Sequence, residues 1–127
     1  MADAVTSQTL VDGERNVVMK FTNISDGTGE AAVAKVTAAS LSGAPARLRI
    51  DRIIANTDGM AVNILWDATA DVTAWVVAQN TCEEFDFRSF GGLANNAGAG
   101  ITGNINFTTV GHSASDTYSI ILHMTKT

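Results

Sequence analysis

The fold is decided by residues 58–66, which read DGMAVNILW. Asp58 and Gly59 form a pair that is common in tight turns, because glycine adopts positive φ without steric strain. From Met60 to Trp66, a large apolar side chain occupies every second position. Successive side chains of a β-strand point to opposite faces, so this spacing predicts a strand with one face in the core.

Short β-like runs of this kind recur along the whole chain. They are rich in Val, Ile and Thr, whose branched side chains suit a pleated sheet. Asp-Gly, Ser-Gly and Gly-Gly pairs punctuate them and predict turns. The nine predicted runs are Ala4–Val11, Arg15–Ile24, Glu30–Val36, Ala46–Asn56, Met60–Trp66, Val72–Ala78, Cys82–Arg88, Asn104–Val110 and Asp116–Thr125. Nine short strands without a long amphipathic helix predict an all-β protein.

The predicted architecture is a single domain over residues 1–127, an antiparallel β-sandwich of jelly-roll type. An immunoglobulin-like sandwich is the alternative, although the Cys…Trp…Cys spacing of antibody domains is missing. Residues 1–11 are expected to form either a first strand or an interaction arm. The Asp12-Gly13 pair that follows predicts a hairpin of type I′, in which glycine has positive φ.

The run Ala46–Asn56 contains three of the eight basic residues of the chain. Uninterrupted alternation places Leu48, Ile50, Arg52 and Ile54 on one face and Arg47, Arg49, Asp51 and Ile53 on the other. One interpretation of the arginines is a solvated face or pairing with acids on neighbouring strands. The other is a basic stripe that meets an acidic partner.

Composition and charge exclude several classes of protein. Hydrophobic residues make up 46% of the chain, which is enough for a packed core and unlike a disordered segment. The net charge is -5, with eight basic residues against thirteen acidic ones. Nucleic-acid binding and adhesion to anionic membranes both need clustered basic residues, so neither partner is expected. Residues 1–10 do not resemble a secretion signal, and the single cysteine, Cys82, fits synthesis in a reducing cytoplasm.

The residue types that support catalysis are sparse. His112 and His123 are expected to face solvent, and no Gly-x-Ser-x-Gly motif supplies a nucleophile. One cysteine and two distant histidines do not make a zinc site. Cys82 lies beside Glu83 and Glu84, which raise the pKa of a thiol, so a buried or half-buried structural role is expected. The sequence therefore predicts neither an enzyme nor a bound cofactor.

Two loops have two interpretations each. Asp67 and Asp71 flank a short turn, and the acids of residues 83–86 cluster further along the chain. The favoured interpretation is that these acids lie in turns and are solvated, and a calcium site is the alternative. Residues Ser89–Gly103 form a long glycine-rich loop without a phosphate-binding motif. Such a loop either docks on a partner or is a mobile connection, and both interpretations stay open.

Four segments resemble small structural proteins of tailed-bacteriophage virions, the capsid decoration or cement proteins. The segments are Ile50–Ile53, Ile64–Val72, Asp86–Leu93 and Thr102–Thr109. The resemblance extends from about residue 10 to residue 122. It implies a jelly-roll or β-sandwich module on the outside of the expanded shell, present as a dimer or trimer at a symmetry axis. The resemblance assigns no catalytic residue to this chain.

The resemblance therefore predicts a decoration protein that is made in the bacterial host cytoplasm, binds the major capsid protein and also itself, and stabilises the head. A carbohydrate- or receptor-binding module of a tail fibre or spike is the alternative function. A small β-sandwich hydrolase and a neck or coat component are further alternatives. The residues expected to contact the capsid or another subunit are Thr6, Thr9, Arg47, Arg49, Arg52, Phe90, Leu93, Asn95 and Asn96.

Overall fold

The computed structural model describes residues 4–25, 27, 31–43, 45, 47–95, 100–111 and 113–126, with the backbone alone for residues 4, 5 and 90. These described residues contain nine strands: β1 (Ala4–Asp12), β2 (Asn16–Ile24), β3 (Val33–Val36), β4 (Leu48–Asp58), β5 (Ala61–Trp66), β6 (Val72–Val77), β7 (Cys82–Asp86), β8 (Ile105–Val110) and β9 (Thr117–Lys126). The described helical structure consists of two 3-10 turns, Ala38–Ser40 and Arg88–Phe90.

The nine strands form two antiparallel sheets. The five-stranded sheet has the order β1-β2-β9-β4-β7, and the four-stranded sheet has the order β3-β8-β5-β6. Strands β2 to β5 pair with strands of the second half of the chain, β9, β8, β7 and β6 respectively. The chain is thus a long antiparallel ribbon folded over itself, which is the jelly-roll arrangement. This confirms the predicted fold class and replaces the immunoglobulin-like alternative.

The core lies between the two sheets and is built from the predicted alternation. Met60, Val62, Ile64 and Trp66 are each at most 1% exposed. Phe107 of β8 lies at the centre of an aromatic cluster, with its ring centroid 5.1 Å from that of Phe21 and 5.9 Å from that of Tyr118. Burial of a large apolar side chain contributes about 1.5–3 kcal/mol, so these strands hold the sheets together.

Strand β4 departs from the predicted alternation at a β-bulge. Ile50 pairs with Met124 of β9, and the next pair is Arg52 with His123, which leaves Asp51 as the extra residue. The bulge reverses the direction of the side chains that follow it, so that Ile53 is buried and Ile54 is only half-buried. Ile54 lies on the outer face of its sheet, the face that points away from the core between the two sheets. The prediction that Arg52 shares a face with Leu48 and Ile50, opposite Ile53, was wrong for this reason.

The hairpin between β1 and β2 exists, but its turn differs from the prediction. Gly13 does not have positive φ. Its N–H donates to the carbonyl of Asn16 at 2.9 Å. The loop is longer than the two-residue connection that requires a left-handed glycine, so the type I′ turn was a wrong prediction. Gly59 does have positive φ, 82°, at the turn before β5.

Candidate interaction surface

Strand β1 is an edge strand that extends beyond the sandwich. It pairs with β2 and, in the part of the chain that the structure describes, with no other strand. Every residue from Thr6 to Asp12 is exposed, including Leu10 (50%) and Val11 (48%). Alternate residues of a strand point to opposite faces, so exposure of both sets means that the four-stranded sheet does not cover β1.

The outer edge of β1 has few of the features that normally protect a sheet edge. Proteins prevent unwanted pairing at exposed edges with charged side chains, prolines and bulges. Residues 4–11 contain no charged residue and no proline. A register shift between Thr9 and Val11 interrupts the strand near its end, whereas the pairing from Ala4 to Thr9 is continuous. The segment from Ala4 to Thr9 is therefore open to the addition of another strand.

The two predicted contact residues of β1 lie on opposite faces of the strand. Thr6 pairs with Thr22 on the outer face, and the two hydroxyl groups are hydrogen-bonded to each other. Thr9 pairs with Met19, whose side chain points into the core, and therefore faces the sandwich side. Beside Thr6 is a cleft of about 510 Å³ lined by Thr6, Thr22, Asn23, Ile24, Thr117, Tyr118 and Ser119. Five of the seven residues that line the cleft carry a side-chain hydroxyl group.

Most of the positive charge of the predicted basic stripe on β4 is neutralised by ion pairs with nearby carboxylates. Arg49 Nε donates to Asp51 Oδ1 at 2.9 Å, and Arg52 forms an ion pair with Glu84 on the adjacent strand β7. These pairs match the interpretation in which the arginines meet nearby acids. Arg47 is exposed and forms no ion pair within the described residues. Exposed pairs of this kind contribute up to about 1 kcal/mol each, so they shape the surface more than they stabilise it.

The outer face also contains a hollow of about 360 Å³ around His123. Its described lining is Val11, Asn16, Val18, Asp51, Arg52, Arg88, His123 and Met124. Burial lowers the pKa of His123, and the positive charges of Arg52 and Arg88 lower it further. The described lining contains no serine, threonine or cysteine that could act as a nucleophile. His123 is half-buried rather than solvent-facing, and His112 lies outside the described residues.

A second ion pair on this face joins Arg88 and Asp86. Arg88 Nη2 lies 2.6 Å from Asp86 Oδ2, and the Arg88 backbone N–H donates to Asp86 Oδ1 at 2.9 Å. These hydrogen bonds hold the pKa of Asp86 well below its usual range and raise the pKa of Arg88. Two of the three acids of β7 are therefore paired with neighbouring arginines, Glu84 with Arg52 and Asp86 with Arg88.

The glycine-rich loop is attached to the body at both described ends; at the second end, the N–H of Thr102 donates to the carbonyl of Asp67 at 3.3 Å. Leu93 exchanges two backbone hydrogen bonds with Ile50, of 2.7 and 3.0 Å, and its side chain packs against the core. Asn95 is 7% exposed. These two predicted contact residues are thus drawn towards the protein body, which the loop composition alone did not indicate. Phe90 lies in a 3-10 turn with only its backbone described, and Asn96 lies outside the described residues.

Cys82 is exposed, so the prediction of a buried or half-buried cysteine was wrong. It pairs with Asn56 on the outer face of β7, which forms the edge of the five-stranded sheet opposite β1. No helix among the described residues is long and apolar enough to cross a membrane.

No family model and no curated protein matches the chain. Among solved structures, the chain is similar to a cupin domain from Bordetella pertussis Tohama I, with 9% identity, a TM-score of 0.39, and coverage of 100% of this chain and 98% of the other. The class of the protein, a jelly-roll β-sandwich, is defined by the strand order.

Proposed function

We propose that the protein is a capsid decoration protein of a tailed bacteriophage, which binds the outer surface of the major capsid protein shell and stabilises the head. The observation that supports this proposal is strand β1, which is exposed on both faces and unpaired along its outer edge in the described chain. A strand in this state binds a partner by β-augmentation, in which backbone hydrogen bonds supply much of the affinity.

The proposed activity is binding rather than catalysis, without a cofactor. Each copy needs only modest contacts, because a module that touches several shell subunits gains affinity through multivalency. Association with a second or third copy at a symmetry axis increases that effect. The proposed partners are therefore the major capsid protein and the protein itself, on the exterior of a virion assembled in the host cytoplasm.

The alternative of a carbohydrate- or receptor-binding module is less well supported. Sugar-binding surfaces commonly use exposed aromatic rings. None of the aromatic side chains that the structure describes is exposed. Trp75 and Phe85 are half-buried, with their ring centroids 5.4 Å apart. Their mutual packing leaves no open aromatic platform in that region.

The test is saturable binding to expanded heads that lack the protein, followed by sedimentation and densitometry. Thr9→Lys places a charge on the exposed sandwich-side face of β1, where lysine disfavours strand addition. Thr73→Lys is the matched control, because Thr73 is also exposed on an edge strand, β6 of the other sheet. We expect wild type and Thr73→Lys to bind at one fixed stoichiometry, and Thr9→Lys to lose at least tenfold in affinity.

Wild-type protein that never co-sediments with heads would overturn the proposed function. Equal binding by both lysine variants would overturn the role of β1 and assign the head contact to another part of the surface. A heat-release assay completes the design: decorated heads should retain DNA to a higher temperature than bare heads. Circular dichroism of each variant distinguishes loss of binding from loss of folding.

A further inference from the structure

A row of paired residues crosses the outer face of the five-stranded sheet at the hollow around His123. His123 pairs with Val18 of β2 on one side and with Arg52 of β4 on the other. Val11 of β1 pairs with Val18, and Asp86 of β7 pairs with Arg52. The row is apolar towards β1 and charged towards β7. The hollow therefore has an apolar wall on one side and a charged wall on the other.

Neither arginine of the hollow is fully occupied by its ion pair. Arg52 Nη2 donates to Glu84, whereas Arg52 Nε has no hydrogen-bond partner in the described structure. Arg88 uses Nε and Nη2 for Asp86, and its side chain is still 62% exposed. A guanidinium group has five N–H donors, so each arginine keeps donors for a further acceptor. Arg52, which is held through Nη2 alone, can also turn towards one.

Positive charge predominates at the centre of the hollow. Asp51 is the acid of the described lining, and both of its oxygens already accept hydrogen bonds from other side chains of the protein. Burial is the largest cause of the lowered pKa of His123. After burial, the two arginines of the hollow lower this pKa more than the nearby carboxylates raise it. An anion beside the imidazole would therefore lie in a favourable field.

We propose that this hollow binds the carboxylate of an acidic side chain from a protein partner. The carboxylate would accept hydrogen bonds from Arg52 and Arg88, which is the favoured geometry for this pair of groups. The CH2 groups of the same side chain would pack on Val11 and Val18. Each arginine already shares its charge with a carboxylate of β7, so the hollow suits a monoanion better than the dianion of phosphate.

The inference does not rest on the proposed capsid function. Residues 2–9, which include the proposed head contact, are not part of the described lining of the hollow. A chain without these residues should therefore still bind a carboxylate in the hollow. Loss of head binding in that chain and loss of carboxylate binding in a hollow variant are separate results, so either proposal can fail without the other.

The experiment is an NMR titration of the full chain with two probes, propionate and inorganic phosphate, read from the ring resonances of His123. Propionate carries a carboxylate on a short apolar stem, as an acidic side chain does. We expect saturable shifts with propionate and at least threefold weaker binding of phosphate. Arg88→Gln should weaken propionate binding at least threefold. Arg47→Gln, which removes an exposed arginine outside the hollow, should bind as wild type does.

Val18→Glu and Val18→Gln test the hollow from within. The two side chains have the same shape, and only the glutamate places a tethered carboxylate beside His123. In a chain with a net charge of -5, a further negative charge on a neutral surface should destabilise the fold. A hollow that accepts a carboxylate predicts the opposite, so the urea midpoint of Val18→Glu should be at least as high as that of Val18→Gln. A lower midpoint for Val18→Glu would overturn the proposal.

A capped Gly-Glu-Gly peptide separates an acidic side chain from a free small carboxylate. It should displace propionate, whereas a capped Gly-Gln-Gly peptide should not. The proposal is overturned if propionate causes no saturable shift, or if Arg88→Gln and Arg47→Gln bind it equally. It also fails if phosphate binds as tightly as propionate, or if the Glu peptide does not compete. The last result would restrict the hollow to free small carboxylates.

Discussion

Lys126 and Asp12, at the ends of the last and the first strand, form an ion pair in which Lys126 Nζ lies 2.7 Å from Asp12 Oδ1. The ammonium also donates to the carbonyls of Gly13, at 2.5 Å, and Ser42, at 2.7 Å. Asp12 Oδ2 accepts from the N–H of Ser42. Hydrogen bonds from Lys126 and then Ser42 lower the pKa of Asp12. One lysine thus fastens β1, β9 and the loop after Ala38–Ser40.

Replacement of this lysine should destabilise the protein more than its surface position suggests. The Lys126 side chain is only 7% exposed, and Lys126→Met removes the ammonium donor from two carbonyls and from Asp12 Oδ1. We expect the free energy of unfolding in urea to fall by about 1–3 kcal/mol. Lys20→Met, which removes the same charge from the outer face of β2, should change it by about 0.5 kcal/mol or less. Equal losses in the two variants would show that charge alone is responsible.

Two glycines with nearly the same φ predict different responses to alanine. Gly43 has φ of 78° and open space where the Cβ of an alanine would lie, whereas a Cβ on Gly59, with φ of 82°, would overlap the carboxylate of Asp116. That carboxylate accepts from the N–H of Ser113 at 2.7 Å and cannot move without breaking the bond. Gly43→Ala should lose about 1–2 kcal/mol from left-handed strain, and Gly59→Ala clearly more. Thermal melts of the pair measure the difference, and indistinguishable melts would contradict it.

The alternation of apolar residues predicts the strands and most of the core, because local side-chain spacing encodes both. Residues 60–66 show this most clearly, since each predicted inward side chain is buried. The bulge at Asp51 escaped prediction because it depends on how β4 pairs with β9, which lies far along the chain. The strand order and the contact between Lys126 and Asp12 depend on similarly distant pairings.

The surface was less predictable than the core. The sequence suggested β1 and the arginines as contact regions, but exposure and ion pairing follow from the neighbouring strands. Arg52 could be assigned to Glu84 only after the bulge placed both on the outer face. The sequence predicts that Leu93 lies in a loop. Its pairing with Ile50 is a tertiary contact that no neighbouring residue in the sequence indicates. The spacing of Asp67 and Asp71 is apparent in the sequence, whereas the 3.3 Å hydrogen bonds that Asn106 Nδ2 donates to both carboxylates depend on the position of β8.

Cys82 should react in the native state. Its side chain is exposed at the sheet edge opposite β1. A chromogenic disulfide reagent should therefore modify one thiol per chain without denaturant, at a rate that urea increases only slightly, because no unfolding step precedes the reaction. Cys82→Ser should release no chromophore. A thiol that becomes reactive only in urea would contradict the exposed position.

The half-buried His123 should make stability depend on pH. Burial, assisted by Arg52 and Arg88, lowers its pKa below the ordinary value of 6.5. Below that value the unfolded chain binds a proton that the folded chain does not, so stability is present above about pH 6.5 and decreases as the pH falls. Urea unfolding at about pH 7.5 and about pH 5.5 measures the change. His123→Gln should reduce this difference in stability between the two pH values. His112→Gln, the matched control, should leave the difference unchanged. Equal pH dependence in wild type and His123→Gln would contradict the prediction.

Removal of residues 2–9 should leave the jelly roll folded while removing its proposed capsid contact. In the part of the chain that the structure describes, strand β1 pairs with β2 alone, and the side chains of residues 6–9 are exposed, so their removal costs little apolar burial. Leu10 to Asp12 are retained, which preserves the contact with Lys126. We expect a cooperative urea transition and an unchanged β-type circular dichroism spectrum, together with loss of co-sedimentation with expanded heads.

A variant in which residues 2–9 are replaced by glycine and serine of equal length controls for chain length. It should also fold and fail to bind, because β1 would lose its side chains and its preference for extended structure. Binding by both variants would assign the head contact to another part of the surface. A truncated chain that loses its cooperative transition would instead show that β1 is part of the folding unit, and the Thr9→Lys and Thr73→Lys pair would then decide the role of the edge.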